Sequence, residues 1–464
     1  MKHVLVIGGG ISGLAAAWFL LKAKNAPVRV TLLEADNRWG GKIQTETVDG
    51  FVIEGGPDCF LASKPQAAAL CWALGLGDSL QGTNPQRRKT YILHNRQLRP
   101  IPDGLVAMTP TDFKSIAATR LLTWPQKARL ALDLLIPPRT ANGDESLGAF
   151  VSRRLGRGAY ENLVQPLVAG IYTGDGDALS VSAAFPALRE MEQQHGSLIR
   201  GALARKGQAG SHSRSAFLTP TGGMAEIVTA LVNQLQTQQA DLRLNTPVLN
   251  IEFSNIENRY SVKTENAPAL EADAIILATP AHVSATLLAS IHPQLASDLR
   301  AIPHASTATI SLAYRESDLA RALDGYGYVI PDREGRRALA CTWTSTKFAA
   351  RAPEGYALLR VFIGRAGEEL PADEAELLAL AQKELHETLG VCAEPIFTRI
   401  FRWENAMPQY NLGHPERQAR IEAYLKDIPR LALAGNAYKG VGIPDCILSG
   451  ELAAQKILTS MDLR

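Results

Sequence analysis

The first apolar run, Val4-Leu5-Val6-Ile7, is β-branched and unbroken, the pattern of a strand buried on both faces of a parallel sheet. It stops at Gly8-Gly9-Gly10; Leu14 to Lys22 follow with Ala-rich helical character, and Val28 to Leu33 form a second strand. Together they predict a βαβ unit. Past Glu54-Gly55-Gly56-Pro57 the pattern changes, with a helix over 65–80 and a hairpin from Tyr91 to Ile101 turning at His94-Asn95. From Pro110 to Lys206 strand signal is sparse and helix signal is strong, including Phe113–Leu122 and Gln126–Leu135, which predicts a helical insertion. Mixed structure resumes near Phe217. Thr221-Gly222-Gly223-Met224 precedes a helix through Leu235, and Val248–Phe253 and Tyr260–Thr264 alternate as half-buried strands do. Ala274–Leu277 opens a buried strand that Pro280 stops. Thr307–Tyr314 and Tyr356–Ile363 predict strands, Glu374–Leu389 a helix, Leu431–Gly435 a last strand and Ile443–Leu458 a closing helix.

The 464 residues exceed what one hydrophobic core organises and suggest about two or three domains. At 46% apolar and 20% charged residues, the chain packs as a globular protein rather than staying disordered. Its 48 basic and 46 acidic residues leave a net charge of +2, too little for a bulk field that would gather nucleic acid. Five dispersed cysteines form no Cys-x-x-Cys pair, so metal spacing is missing and no metal site is expected; the sparse thiols fit a reducing, cytoplasmic setting. Val4 to Leu21 carry no formal charge and reach the crude length of a membrane span, but four of these residues are glycines. A protein that is soluble, or at most attached to a membrane surface, is the expectation.

Gly8-x-Gly10-x-x-Gly13 lies between a strand and a helix, where a dinucleotide fingerprint must lie. The first glycine permits the turn, the second lets backbone approach a pyrophosphate, and the third lets helix pack on strand. Glu34, ending the second strand, is placed to accept ribose hydroxyls and disfavours a 2′-phosphate. Two further glycine pairs, Gly40-Gly41 and Gly55-Gly56, suit repeated close approach to a ligand as extended as FAD; glycines serving only as turns are the alternative.

These stretches, with Arg38-x-Gly40-Gly41 and the closing Gly435-Asn436-Ala437-Tyr438-Lys439-Gly440-Val441-Gly442-Ile443-Pro444-Asp445-Cys446, resemble the FAD-dependent amine-oxidase superfamily. Within it the chain resembles the protoporphyrinogen oxidase family, including its bacterial coproporphyrinogen-oxidising members. Gly170-Ile171-Tyr172-Thr173-Gly174-Asp175, Thr219 to Met224 and Trp403 to Tyr410 carry that finer likeness, which runs end to end. The resemblance implies an α/β fold, with a Rossmann-like FAD-binding domain built from discontinuous segments, a mixed α+β substrate domain and a helical insertion. The expected division is FAD-binding at 1–90, 207–285 and 421–464, substrate domain at 91–110 and 286–420, and insertion at 111–206.

The resemblance also implies roles. Gly8, Gly9, Gly10, Ile11, Ser12 and Gly13 would meet the pyrophosphate, Glu34 the ribose and Val248 the adenine side. Arg38 and Gly41 belong to the same cofactor set. Lys42, Ile43, Gly56, Pro57, Asp58, Cys59 and Trp403 would lie at the flavin end, and Val441, Gly442 and Ile443 would present amides to the pyrimidine ring. Arg88 would clamp a propionate of a porphyrinogen and Gly170 would let the macrocycle approach, against the alternatives of a solvated charge run and a helix C-cap. Hydride would leave a meso carbon, molecular oxygen would become hydrogen peroxide, and three rounds would remove six electrons. No catalytic side chain is expected; His94, His195, His212, His304 and His414 read as structural or surface residues. The implied partners are a porphyrinogen and oxygen. Protoporphyrinogen IX versus coproporphyrinogen III stays open, as do oxygen versus a quinone-linked acceptor, peripheral membrane contact through 113–135, contact with haem-pathway enzymes, and a homodimer. A flavin amine oxidase, a carotenoid desaturase and a non-catalytic flavin-binding partner are the rival readings.

Overall fold

Five strands drawn from opposite ends of the chain build one parallel sheet: β1 (Lys2–Ile7), β2 (Val28–Leu33), β3 (Asp241–Arg243), β4 (Ala274–Leu277) and β5 (Leu431–Leu433), in the order β3-β2-β1-β4-β5. The computed structural model describes residues 1–23, 28–140, 143–208, 215–265 and 268–463. Because side chains alternate across a strand, β1 serves two cores. Val4 and Val6 pack with Leu14, Ile227, Leu231, Ile447 and Ile457, whereas Leu5 and Ile7 pack with Ile251, Tyr260, Leu295 and Ile275. Each such fully buried aliphatic side chain contributes roughly 1.5–3 kcal/mol of transfer free energy. The first core is covered by α1 (Ile11–Lys22), α2 (Ala225–Thr237) and α3 (Ile443–Ser460). α3 crosses α1 closely, because a Cβ on Gly450 would overlap the Ser12 carbonyl oxygen.

A second sheet of seven strands runs in the order Phe397–Pro408, His304–Arg315, Tyr356–Ile363, Ala338–Trp343, Gly325–Val329, Lys89–His94, Gln97–Pro100. One face, with Ile310, Leu312, Val361 and Tyr328, packs beneath the helix Glu374–Leu389 through Leu377, Ala381 and Leu385. On the other face, register aligns Phe362, Ala340, Val329 and Ile92 in one row, with Arg99 opposite Ile92 at its end. Helices between Phe113 and Gln208 pack against this face around Phe150, Leu163 and Val168. The α/β class and the discontinuous Rossmann-like sheet are therefore as expected.

Differences lie at element ends. The helix expected over 65–80 ends at Ala73, where Gly75 turns the chain at φ +79°, and Leu80–Gly82 pairs with Phe217–Pro220 instead. The helix expected over 113–122 stops at Ala118, because Thr123 and Gln126 form a capping box that starts Trp124–Ala131. Thr45–Val48 and Phe51–Glu54 form a hairpin turned by Asp49-Gly50, both at positive φ, which is the turn chemistry such a pair dictates.

Candidate functional site

All five strands of the parallel sheet end on one edge, and the segments leaving that edge hold the residues singled out by the sequence. Gly8 continues from β1 and its N–H donates to the Leu33 carbonyl (2.8 Å). Gly8 sits at φ +107°, a backbone that a side chain would strain, and a Cβ on Gly13 would overlap the Gly8 carbonyl oxygen. Those two glycines let α1 start hard against β1. Gly10 differs: a Cβ there would meet nothing within 4 Å. Its freedom from neighbours leaves open space at the N-terminus of α1, where Ile11, Ser12 and Gly13 begin the helix with no side-chain cap among the described residues and with the positive end of its dipole.

Glu34 leaves β2 and is held by two backbone donors, the Gly9 N–H on Oε2 (2.6 Å) and the Asp36 N–H on Oε1 (2.9 Å). Its carbonyl accepts from the Thr246 N–H (2.8 Å), which brings the start of the Val248–Ser254 strand alongside. Arg38 donates to the Gly41 (2.6 Å) and Ile43 (3.3 Å) carbonyls and so fastens the glycine loop. The Gly40 N–H donates to the Gly9 carbonyl (2.9 Å), joining this loop to the first. Lys42 is half-buried with no hydrogen-bond partner among the described residues, and burial lowers its ammonium pKa despite the nearby Cys446.

The Gly55–Cys59 loop is tied to the second sheet. The Gly55 carbonyl accepts from the Thr309 hydroxyl (2.8 Å), the Trp403 indole (2.9 Å) and Arg360 (3.2 Å); the Gly56 carbonyl also accepts from Arg360. A Cβ on Gly56 would overlap the Lys42 carbonyl oxygen, so the two loops are pressed together. Asp58 pairs with Lys347 (2.8 Å) and accepts from Cys59 Sγ (3.1 Å). Burial by itself would raise the Asp58 carboxyl, but Lys347 and Arg360 outweigh it and hold the group below the usual carboxylate range. Burial, then Asp58, pushes the Cys59 thiol far up, so it carries no thiolate near neutrality. Pro57 lies half-buried between them. From the other end of the chain, Val441 and Gly442 lie half-buried before α3, with Gly442 as its N-cap and Ile443 as its first residue.

Gly170 lies inside the helix Gln165–Tyr172, and the C-cap is Thr173 in the left-handed conformation, so the C-cap alternative falls. Gly170 is exposed, and a Cβ on it would touch only Val329, at 3.6 Å. The helix thus presents a bare patch over the Phe362–Ala340–Val329 row. Arg88 is exposed just before the Lys89–His94 strand and donates through Nε to the Pro85 carbonyl (3.0 Å). His212 lies outside the described residues. His304 is half-buried, its Nδ1 bonded to the Ile302 carbonyl (2.9 Å) and its ring edge-on to His282 at 5.0 Å between centroids. Burial, with His282, pushes its pKa down to about 4.

The residues suit an extended dinucleotide. A trail of half-exposed positions runs through buried surroundings from Val248 and Glu34, past Gly10, Gly41 and Lys42, to Gly56–Cys59, Trp403 and Gly442. It follows the carboxyl edge of a parallel sheet, where such ligands bind, and Gly10 provides a cradle that any side chain would fill. Sequence reasoning missed Thr309, Lys347, Arg351 and Arg360, which hold this trail from behind. A basic residue amid the apolar Tyr356–Ile363 run was the available signal for Arg360. Among the described residues no group of His, Cys, Asp and Glu could hold a metal, and no helix is long and apolar enough to cross a membrane.

The chain is similar along its length to known proteins. Residues 11–458 match the family described as flavin containing amine oxidoreductase. Coproporphyrinogen III oxidase of Bacillus subtilis is 37% identical, covering 99% of this chain and 98% of its own. Protoporphyrinogen oxidase of Bos taurus is 30% identical over 98% of each. A crystal structure of a protoporphyrinogen oxidase candidate from Exiguobacterium sp. 255-15 superposes with a TM-score of 0.86 at 34% identity, covering 99% of both chains.

Proposed function

The chain belongs to the flavin-containing amine oxidoreductase family, and from that premise we propose that it is an FAD-dependent oxidase of coproporphyrinogen III, using molecular oxygen as acceptor and releasing hydrogen peroxide. The observation that carries the reading is the exposed Gly170, whose missing side chain leaves the helix surface bare beside Val329 at the apolar row of the second sheet, where a bulky macrocycle would approach. End-to-end likeness to coproporphyrinogen III oxidase supports the choice of substrate. Register adds to it, since Arg99 stands on the same sheet face as Ile92 and Val329 and would add a cation to Arg88 for a substrate with four carboxylates.

Bound FAD supplies the two-electron acceptor in each of three rounds. The chain's residues hold and orient. Gly8 to Gly13 and the α1 N-terminus would receive the pyrophosphate, Glu34 the ribose and Val248 the adenine. Arg38 keeps Gly41, Lys42 and Ile43 in place, while Gly56 to Cys59, Trp403 and the Val441–Ile443 amides would enclose the flavin end. Arg88 would pair with a propionate at the mouth and exclude neutral competitors. The same reading divides the chain into FAD-binding parts at 1–90, 207–285 and 421–464, substrate parts at 91–110 and 286–420, and a helical unit at 111–206. Exposed Phe113, Trp124, Leu132 and Leu135 on that unit support peripheral contact with a membrane.

Steady-state turnover in air tests the assignment. Coproporphyrinogen III is expected to give fluorescent coproporphyrin with three peroxides per porphyrin, at a higher kcat/KM than protoporphyrinogen IX. Aldehyde release from amines with no porphyrin formed would contradict it.

A further inference from the structure

Behind the Gly55–Cys59 loop lies the least balanced buried charge near the site. Arg351 and Arg360 are 1% and 3% exposed, and the Lys347 side chain is 13% exposed. Two carboxylates face these three cations. Asp58 is taken by Lys347. Glu54 accepts from the Met224 N–H (2.8 Å) and the Thr45 hydroxyl (2.7 Å) and lies 3.6 Å from Arg351. Burial raises the Glu54 pKa, which can only reduce its negative charge. Arg360 shares the influence of Asp58 with Lys347 but has no carboxylate within ion-pair distance among the described residues: it donates to the Gly55 and Gly56 carbonyls, and its Nε has no partner there. Removing an uncompensated guanidinium from water is unfavourable. Peptide carbonyls offset only part of that cost, so the fold retains three buried cations against two carboxylates.

We propose that Arg360, seconded by Lys347, is the counter-charge for the negative charge that FAD acquires on reduction, and so a positioning residue for the electron acceptor. The proposal rests on the reading that Gly56 to Cys59 and Trp403 enclose the flavin end. A cation in a water-poor setting interacts strongly with charge that develops nearby and needs no reorganisation to do so. Arg360 also pins the two carbonyls of the loop, so the Gly56 to Cys59 segment that would enclose the flavin is held in place. The consequence is a raised flavin reduction potential and a strong affinity for sulfite, whose addition likewise places negative charge on the ring.

The test uses FAD-loaded protein and no porphyrinogen. Sulfite affinity is read from bleaching of the flavin absorbance and the midpoint potential from equilibration with a reference dye, in wild type, Arg360→Lys, Arg360→Met and Asp58→Asn. Arg360→Met is expected to weaken sulfite binding at least about tenfold and to lower the potential by about 30 mV, the two-electron equivalent of tenfold. Arg360→Lys keeps the charge and should stay within about threefold of wild type, and Asp58→Asn, which removes a negative charge, should tighten sulfite binding. Equal weakening in the Lys and Met variants would reduce Arg360 to a loop fastener, and wild-type values in all three would overturn the proposal. If Arg360→Met fails to fold, Arg360→Lys and Asp58→Asn decide the matter. Failure of the porphyrinogen assignment is separate: it would show as bound FAD that neither porphyrinogen bleaches, whatever sulfite does.

Discussion

Gly10 and Gly13 differ by three positions and by the reason each must be glycine. Gly10 has φ −70° and open space where a Cβ would project, so Gly10→Ala should leave unfolding free energy within about 1 kcal/mol of wild type. The methyl group would instead stand in the cradle, and FAD retention should fall at least tenfold. Gly13→Ala must move α1 off β1 because of the Gly8 carbonyl, so it should lose stability and FAD together. Calorimetry with a flavin-release titration separates the two. Arg88→Ala should raise KM for coproporphyrinogen III about tenfold, the equivalent of 1.4 kcal/mol, with kcat changed little, since the residue binds carboxylate remote from the reacting carbons; an unchanged KM would make Arg88 a solvated charge. At this scale Gly8 and Gly13 were legible because turn geometry and close helix–strand packing restrict which residues can serve. Arg360 was not, since a lone basic residue in an otherwise apolar strand marks an unusual position without telling whether its side chain meets solvent or a neighbouring loop's carbonyls.

At the scale of elements, the crossing of α1 and α3 joins the chain's first and last segments at the cofactor edge. Gly450→Val would drive a side chain into the Ser12 backbone. Overpacking of this kind costs about 1–3 kcal/mol, and because Gly442 and Ile443 ride on α3, FAD affinity should fall with stability. A pH effect belongs to the start of the His304–Arg315 strand. His304 has a folded pKa of about 4 against an ordinary value of 6.5, so the folded state binds fewer protons between these values. Its contribution to stability is complete above pH 6.5 and is lost as pH falls toward 4, by up to about 3 kcal/mol. Denaturant unfolding at pH 7.5 and 5.0 should show a smaller difference in His304→Gln than in wild type. Strand and helix positions were largely legible from periodicity, as at Tyr356–Ile363 and Glu374–Leu389. Their ends were less so, because Gly75, Thr123 and the Asp49-Gly50 turn act through local backbone chemistry that a hydrophobic pattern does not register.

For the whole molecule, the parallel sheet gathers residues 2 to 433 into one edge, and the second sheet faces that edge through Trp403, Thr309 and Arg360. The discontinuity was legible through resemblance of distant stretches to one family; the pairing between the sheets was not, since it depends on register. The helical unit holds its own interior by an ion pair, Arg154 Nε to Asp133 at 2.6 Å with both residues fully buried, which no apolar pattern announces. What this architecture claims is that an electron acceptor held on one sheet meets a reduced tetrapyrrole lying over the other. Anaerobic mixing of FAD-loaded protein with coproporphyrinogen III tests that claim most directly: the flavin absorbance should bleach at once and return when air is admitted, with coproporphyrin fluorescence growing over repeated cycles. A flavin that stays yellow with coproporphyrinogen III and with protoporphyrinogen IX would contradict it.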